Sequence, residues 1–125
     1  MRILIVDNSS TMRRIIMNTL NKIGYSDYVE ASTGREAVDK LAAGSIGLVI
    51  TDWNMPEMSG LDLVKAVRAN DQTRHIPMLM VTTNAAQEHM TEAIEAGVTS
   101  YVAKPFTPDT IRDKIQLALK AAHAA

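Results

Sequence analysis

The chain has 125 residues, a length that fits one ordinary domain and leaves no room for a second. Thirteen basic against 14 acidic residues give a formal charge of −1, which argues against nucleic acid as the main partner. An apolar fraction of 46% supports a packed core rather than disorder, and the absence of cysteine removes disulfides from the argument. The start, Met1-Arg2 followed by four apolar residues and Asp7, is too short for a signal peptide, and no apolar stretch approaches a membrane span. The expectation is a soluble cytoplasmic protein.

Ile3-Leu4-Ile5-Val6 is a first strand ending at Asp7. From Ser9 to Ile23 a helical period places Met12, Ile15, Ile16, Leu20 and Ile23 on one face, with Gly24 as the stop. Asp27 to Ala31 is a short second strand. Thr33 and Glu36 then spell a capping box for a helix that buries Ala37, Val38, Leu41 and Ala42 and ends at Gly44. Leu48-Val49-Ile50-Thr51 is a third strand, ending at Asp52, and the loop from Trp53 to Met58 follows. Ser59 caps the next helix, which turns Leu63, Val64 and Val67 inward. Pro77 fits only at the first positions of the fourth strand, Met78-Leu79-Met80-Val81, which ends at Thr82. A helix from about Ala85 buries Met90, Ala93 and Ile94 before Gly97. Tyr101-Val102-Ala103 is the fifth strand, ending at Lys104. Thr107 caps a last helix with Pro108 at its first position and Ile111, Ile115, Ala118 and Leu119 toward the sheet. The tail from Ala121 to Ala125 is a fraying helix end.

Four short apolar runs and one further strand candidate, alternating with five helices, imply an α/β fold, a doubly wound parallel sheet. In such sheets ligands bind beyond the carboxyl ends of the strands, where Asp7, Asp52, Thr82 and Lys104 all fall. In the flavodoxin-like order 2-1-3-4-5, Asp7 and Asp52 lie on neighbouring strands. Two close carboxylates repel unless a cation intervenes, and Mg²⁺, which keeps several waters, needs only two or three protein oxygens. A carboxylate beside Mg²⁺ can attack a phosphoryl group, with Lys104 supplying charge and Thr82 a hydrogen bond. Taken singly, each residue has a plainer reading: a helix cap for Asp7, a turn residue for Asp52, a β-favouring residue for Thr82, a solvated lysine for Lys104. The set of four is what carries the inference. His75, His89 and His123 lack ligand spacing, and Arg13-Arg14 reads as a solvated helix face. Met55 and Met58 are placed to cover the site or to meet a partner.

On Ser10-Thr11-Met12-Arg13-Arg14-Ile15, Asp52-Trp53-Asn54-Met55-Pro56 and Lys104-Pro105-Phe106-Thr107, the chain resembles response-regulator receiver domains of the single-domain chemotaxis type. The resemblance spans nearly the whole chain and implies one receiver domain over 1–125, strand order 2-1-3-4-5 and a monomer. It implies that Asp52 accepts a phosphoryl group from a chemotaxis-type histidine kinase, and that Asp7, Asp52 and the Asn54 carbonyl hold Mg²⁺. It further implies Lys104 and Thr82 as phosphoryl contacts, Thr82 and Tyr101 as the switch pair, and a cis Lys104–Pro105 peptide. The resemblance also implies that the chain is not an enzyme beyond catalysing its own phosphorylation and dephosphorylation. The partners it implies are the kinase, the flagellar motor switch and a phosphatase, with no nucleic acid or membrane expected. Exposed candidates on the output face are Gln87, Met90, Ile94, Tyr101 and Lys114, with core places for Met90 and Ile94 as the alternative.

Three positions depart from the family pattern. Asn8 stands where a second acid is usual; its amide oxygen could coordinate the metal, or Asp7 could move in. Thr83 is bulkier than the small residue usual there, and Asn84 is neutral where enteric relatives carry an acid. Alternative readings are a phosphate sink, a degenerate receiver binding partners independently of phosphorylation, and a flavin carrier, the last disfavoured because Asp7 would face the flavin's phosphate.

Overall fold

The apolar runs form strands because each must be buried on both faces, a requirement that alternating patterns do not meet. The computed structural model describes residues 1–123 apart from Asn54, Pro56, residues 83–86 and Pro105, with residues 87–89, 122 and 123 as backbone. Strands β1 (Arg2–Val6), β2 (Tyr28–Ala31), β3 (Ile46–Asp52), β4 (Met78–Thr82) and β5 (Ser100–Ala103) alternate with helices α1 (Ser10–Lys22), α2 (Gly34–Ala42), α3 (Gly60–Ala69), α4 (Gln87–Ala96) and α5 (Pro108–His123). All four pairings are parallel, in the order β2-β1-β3-β4-β5. β3 runs longer than its apolar core suggests and keeps Asp52 in the ladder opposite Val81.

Residue parity divides the core. Leu4, Val6, Val49 and Met80 pack with Leu63, Val64 and Ala93 on the α2, α3 and α4 side. Ile3, Ile5, Ile50 and Val81 pack with Ile16, Leu20, Ile111 and Ile115 on the α1 and α5 side. Caps follow the local chemistry. The Ser9 hydroxyl accepts the Met12 N–H at 3.1 Å, Ser59 and Asp62 form a reciprocal box, and the Thr107 hydroxyl accepts the Thr110 N–H at 3.2 Å. At α2 the box is shifted: Thr33 accepts the Glu36 N–H, but the Glu36 carboxylate reaches back to the Ser32 N–H and hydroxyl instead of the cap. The Ser32 bonds hold the Glu36 carboxyl below its ordinary value.

Several expected core positions lie outside it. Ile15 and Val38 are 44% and 37% exposed, and Ala42 is exposed too. Each sits beside a buried neighbour that takes the centre of the stripe, since successive helix residues point about 100° apart. On α4, Met90 and Ala93 are buried while Ile94 is 58% exposed, so the helix buries two of its three expected residues.

Arg68, near the end of α3, is half-buried and bonds only neutral partners among those described. Its Nε donates to the Gly97 carbonyl at 2.9 Å, Nη1 to the Arg74 and Ile76 carbonyls, and Nη2 to the Thr99 hydroxyl. Burial pushes the guanidinium down from its usual value.

Candidate functional site

Parity at the strand ends brings the acidic residues together. Asp52 continues the side of Ile50, and Asp7, the residue after β1, that of Ile5 on the neighbouring strand. The Lys104 ammonium stands between them, 3.5 Å from Asp7 Oδ2 and 3.5 Å from Asp52 Oδ2. All three side chains are nearly buried, with Lys104 12% exposed, so water screens the cluster weakly. Two carboxylates around one ammonium leave one formal negative charge uncompensated within the trio.

Each carboxylate is also aimed from behind. Asp7 Oδ1 accepts the Ser9 N–H at 2.9 Å, and Asp52 Oδ1 accepts the Trp53 N–H at 2.8 Å. The second oxygen of each therefore faces the shared position. Thr82 is fully buried at the end of β4, and its carbonyl accepts the Lys104 N–H at 2.9 Å, which fixes where the lysine leaves β5. Tyr101 pairs with Met80, two residues before Thr82, so the two members of the expected switch pair occupy adjacent strands. Tyr101 is half-buried against the α4-side core, and the Lys114 ammonium lies 5.5 Å from its ring centroid, within cation–π range.

The structure groups the remaining predicted residues differently. Asn8 is exposed beside Asp7. Met90 belongs to the core and is withdrawn from the output face, whereas Ile94, Tyr101 and Lys114 retain exposure. Met55 is buried and Met58 half-buried, both against the α2–α3 core, so they anchor the loop rather than cover the site. A Cβ on Gly34 would lie 2.6 Å from Met58 Sδ, which shows how closely that anchor seats. The Asn54 carbonyl, Thr83, Asn84 and the Lys104–Pro105 peptide fall outside the described residues, as do the side chains of Gln87, His89 and His123.

Two contributors were not evident in the sequence. Arg13 is not on a solvated face: its side chain is 15% exposed, Nη1 donates to the Asp7 carbonyl at 2.5 Å, and Nε pairs with Glu30 at 2.9 Å. Arg14 is exposed as expected. Gly60 opens α3 against the end of β3, where its N–H donates to the Trp53 carbonyl at 2.8 Å and an added Cβ would fall 2.1 Å from the Asp52 carbonyl oxygen. The glycine directly after the Ser59 cap was the available signal.

The arrangement suits a hard divalent cation. Oxygens of Asp7 and Asp52 already converge on one ammonium, and a residual negative charge remains. No cluster of three or more His, Cys, Asp or Glu occurs among the described residues. The ion would thus be held by two carboxylates, neutral oxygens and water, which is the usual habit of Mg²⁺.

Such a site at the carboxyl edge of a 2-1-3-4-5 parallel sheet defines a class, and the chain belongs to the response regulator receiver domain family, whose model matches residues 3–116. Among its relatives it is 51% identical over 120 residues to the chemotaxis protein CheY1 of Helicobacter pylori, covering 95% of this chain and 97% of that one. It is 48% identical over 116 residues to the chemotaxis protein CheY of Pseudomonas aeruginosa, covering 93% and 94%. In structure it is similar to the chemotaxis response regulator CheY4 of Vibrio cholerae, with a TM-score of 0.86, 37% identity and coverage of 94% and 98%.

Proposed function

We propose that this chain is a chemotaxis response regulator in which Asp52 accepts a phosphoryl group from the phosphohistidine of a chemotaxis-type histidine kinase, in a Mg²⁺-dependent reaction. The observation that carries the reading is the Lys104 ammonium shared between the Asp7 and Asp52 carboxylates. Asp52 Oδ2 attacks phosphorus while the phosphorus–nitrogen bond of the donor breaks and its electron pair returns to the imidazole. Transfer of this kind needs in-line placement and positive charge around the equatorial oxygens more than covalent help. Asp52 is held for attack by the Trp53 N–H, and Lys104 moves from a carboxylate oxygen to a phosphoryl oxygen at little cost because it is already there. Asp7, Asp52, the Asn54 carbonyl and the neutral Asn8 amide or water would hold Mg²⁺, which would supply positive charge for the incoming phosphoryl oxygens.

The output is a change in the surface of α4, β5 and α5. The Thr82 hydroxyl draws toward the phosphoryl oxygens, and Tyr101 turns into the space released, which alters the face carrying Ile94 and Lys114. The partner reading that face is a flagellar motor switch protein. Incubation with an acyl phosphate and Mg²⁺, read by intact mass, tests the assignment. A gain of one phosphoryl group in the parent and none in Asp52→Asn is expected. An equal gain in both, or none in either, overturns it, and the second result favours a phosphorylation-independent binding module.

A further inference from the structure

We propose that Arg13 is a positioning residue of the acceptor site, holding the Asp7–Asn8 peptide in the orientation that aims the Asp7 carboxylate at the cation. The inference rests on the reading of Asp7 and Asp52 as the metal-holding pair.

Asp7 lies one residue beyond β1, and the register with β3 closes at Val6 opposite Thr51. Its N–H still reaches the Ala31 carbonyl at 3.1 Å, but its own carbonyl lies past the ladder. A buried carbonyl without a partner is costly, and a peptide without one is free to rotate. Arg13 Nη1 takes that carbonyl. The arginine is itself fixed at both ends: its backbone N–H bonds the Ser9 carbonyl in the first turn of α1, and Nε is tied to Glu30 of β2. A rigid clamp therefore runs from β2 through α1 to the Asp7 peptide. The Ser9 N–H that aims Asp7 Oδ1 belongs to the very next peptide, so rotation at Asp7–Asn8 would unseat it.

Charge supports a positioning role rather than a direct one. Glu30 pairs the guanidinium, so Arg13 brings no net positive charge to repel an incoming cation. With Asn8 neutral, Asp7 alone supplies the acidic oxygen from the β1 end, and its aim matters more than in a site with two acids there.

Three variants separate the roles. Arg13→Met keeps the apolar stem, Arg13→Lys keeps the charge with one compact donor head, and Glu30→Gln leaves the guanidinium on the carbonyl. The readouts are the Mg²⁺ dissociation constant from Trp53 fluorescence, the melting temperature, and amide exchange at Ser9 in the metal-free protein. Groups that hold a metal ligand are worth about tenfold or more in affinity, so Arg13→Met should weaken Mg²⁺ by about tenfold and speed Ser9 exchange. Arg13→Lys should recover part of both, and Glu30→Gln, whose amide oxygen still accepts the guanidinium, should leave Ser9 exchange at the parent rate whatever its melting temperature and weaken Mg²⁺ less than Arg13→Met, through the uncompensated charge alone. Affinity losses that track melting temperature across all three, or unchanged affinity and exchange in Arg13→Met, overturn the inference. A parent protein that fails to bind Mg²⁺ removes the metal reading instead, and Ser9 exchange then decides the role of Arg13 by itself.

Discussion

Gly60→Ala is the most severe small change the site allows. Its new Cβ would stand 2.1 Å from the Asp52 carbonyl oxygen, against a floor of 3.0 Å for real Cβ contacts. The clash is with backbone, not with a side chain that can swing away, so α3 and the end of β3 must separate by about an ångström. The Gly60 N–H to Trp53 carbonyl bond, 2.8 Å long, stretches with that motion. Overpacking costs up to about 3 kcal/mol, and the better helix propensity of alanine returns about 1, leaving roughly 2 kcal/mol of destabilisation. For a chain of this size that is a fall of about 8 °C in melting temperature. Phosphorylation suffers further because Asp52 shifts relative to Lys104, and a misplacement of about 1 Å can cost about a hundredfold in rate. Thermal melts and intact-mass time courses with an acyl phosphate measure the two effects. A variant melting within about 2 °C of the parent and phosphorylating at its rate would refute the close-approach argument.

The other expectations concern charge and switching. Asn8→Asp restores a second acid beside Asp7 and should tighten Mg²⁺ roughly tenfold by Trp53 fluorescence, a fraction of the Coulomb attraction available at a partly solvated position; equal or weaker binding rules it out. Tyr101→Ala should keep phosphorylation but weaken binding of the beryllofluoride-loaded protein to the motor switch partner, and undiminished binding counts against the switch. Glu36, held low by its Ser32 bonds, adds stability that is complete above its unfolded value and lost as pH falls through the lowered folded value. Urea midpoints of the parent and Glu36→Gln should therefore differ most above about pH 5 and converge in acid, whereas a gap constant with pH removes the linkage.

How far the sequence could be read depended on the range of each interaction. Strands such as Ile3–Val6 and Met78–Val81 announced themselves because burial on both faces demands an unbroken apolar run. Asp7, Asp52 and Lys104 were legible from their places at strand ends, since parallel topology brings those ends to one rim. Arg13 and Gly60 were not, because each acts on a backbone carbonyl, and a carbonyl leaves no mark in composition. Arg68 was silent for the same reason. Glu36 was read one residue off because a long carboxylate reaches the N–H of Ser32 as readily as that of Thr33. Ile15 and Ile94 show the limit of apolar periodicity: it identifies a stripe but not its edge. Met55 and Met58 were read as covering the site or meeting a partner, and their packing sets both against the core instead.

The grip of Arg68 on the Gly97 carbonyl has a mechanical consequence for α4. Gly97 follows directly on the last turn of that helix, and its carbonyl is tied to α3 and, through the same guanidinium, to the segment entering β4. A helix tied there turns about that end more readily than it slides along its axis. Signals from the acidic rim should thus reach the outer surface as an angular displacement that grows with distance from Gly97, so a ligand reaching across α4 and β5 away from that tie would sense the change most strongly.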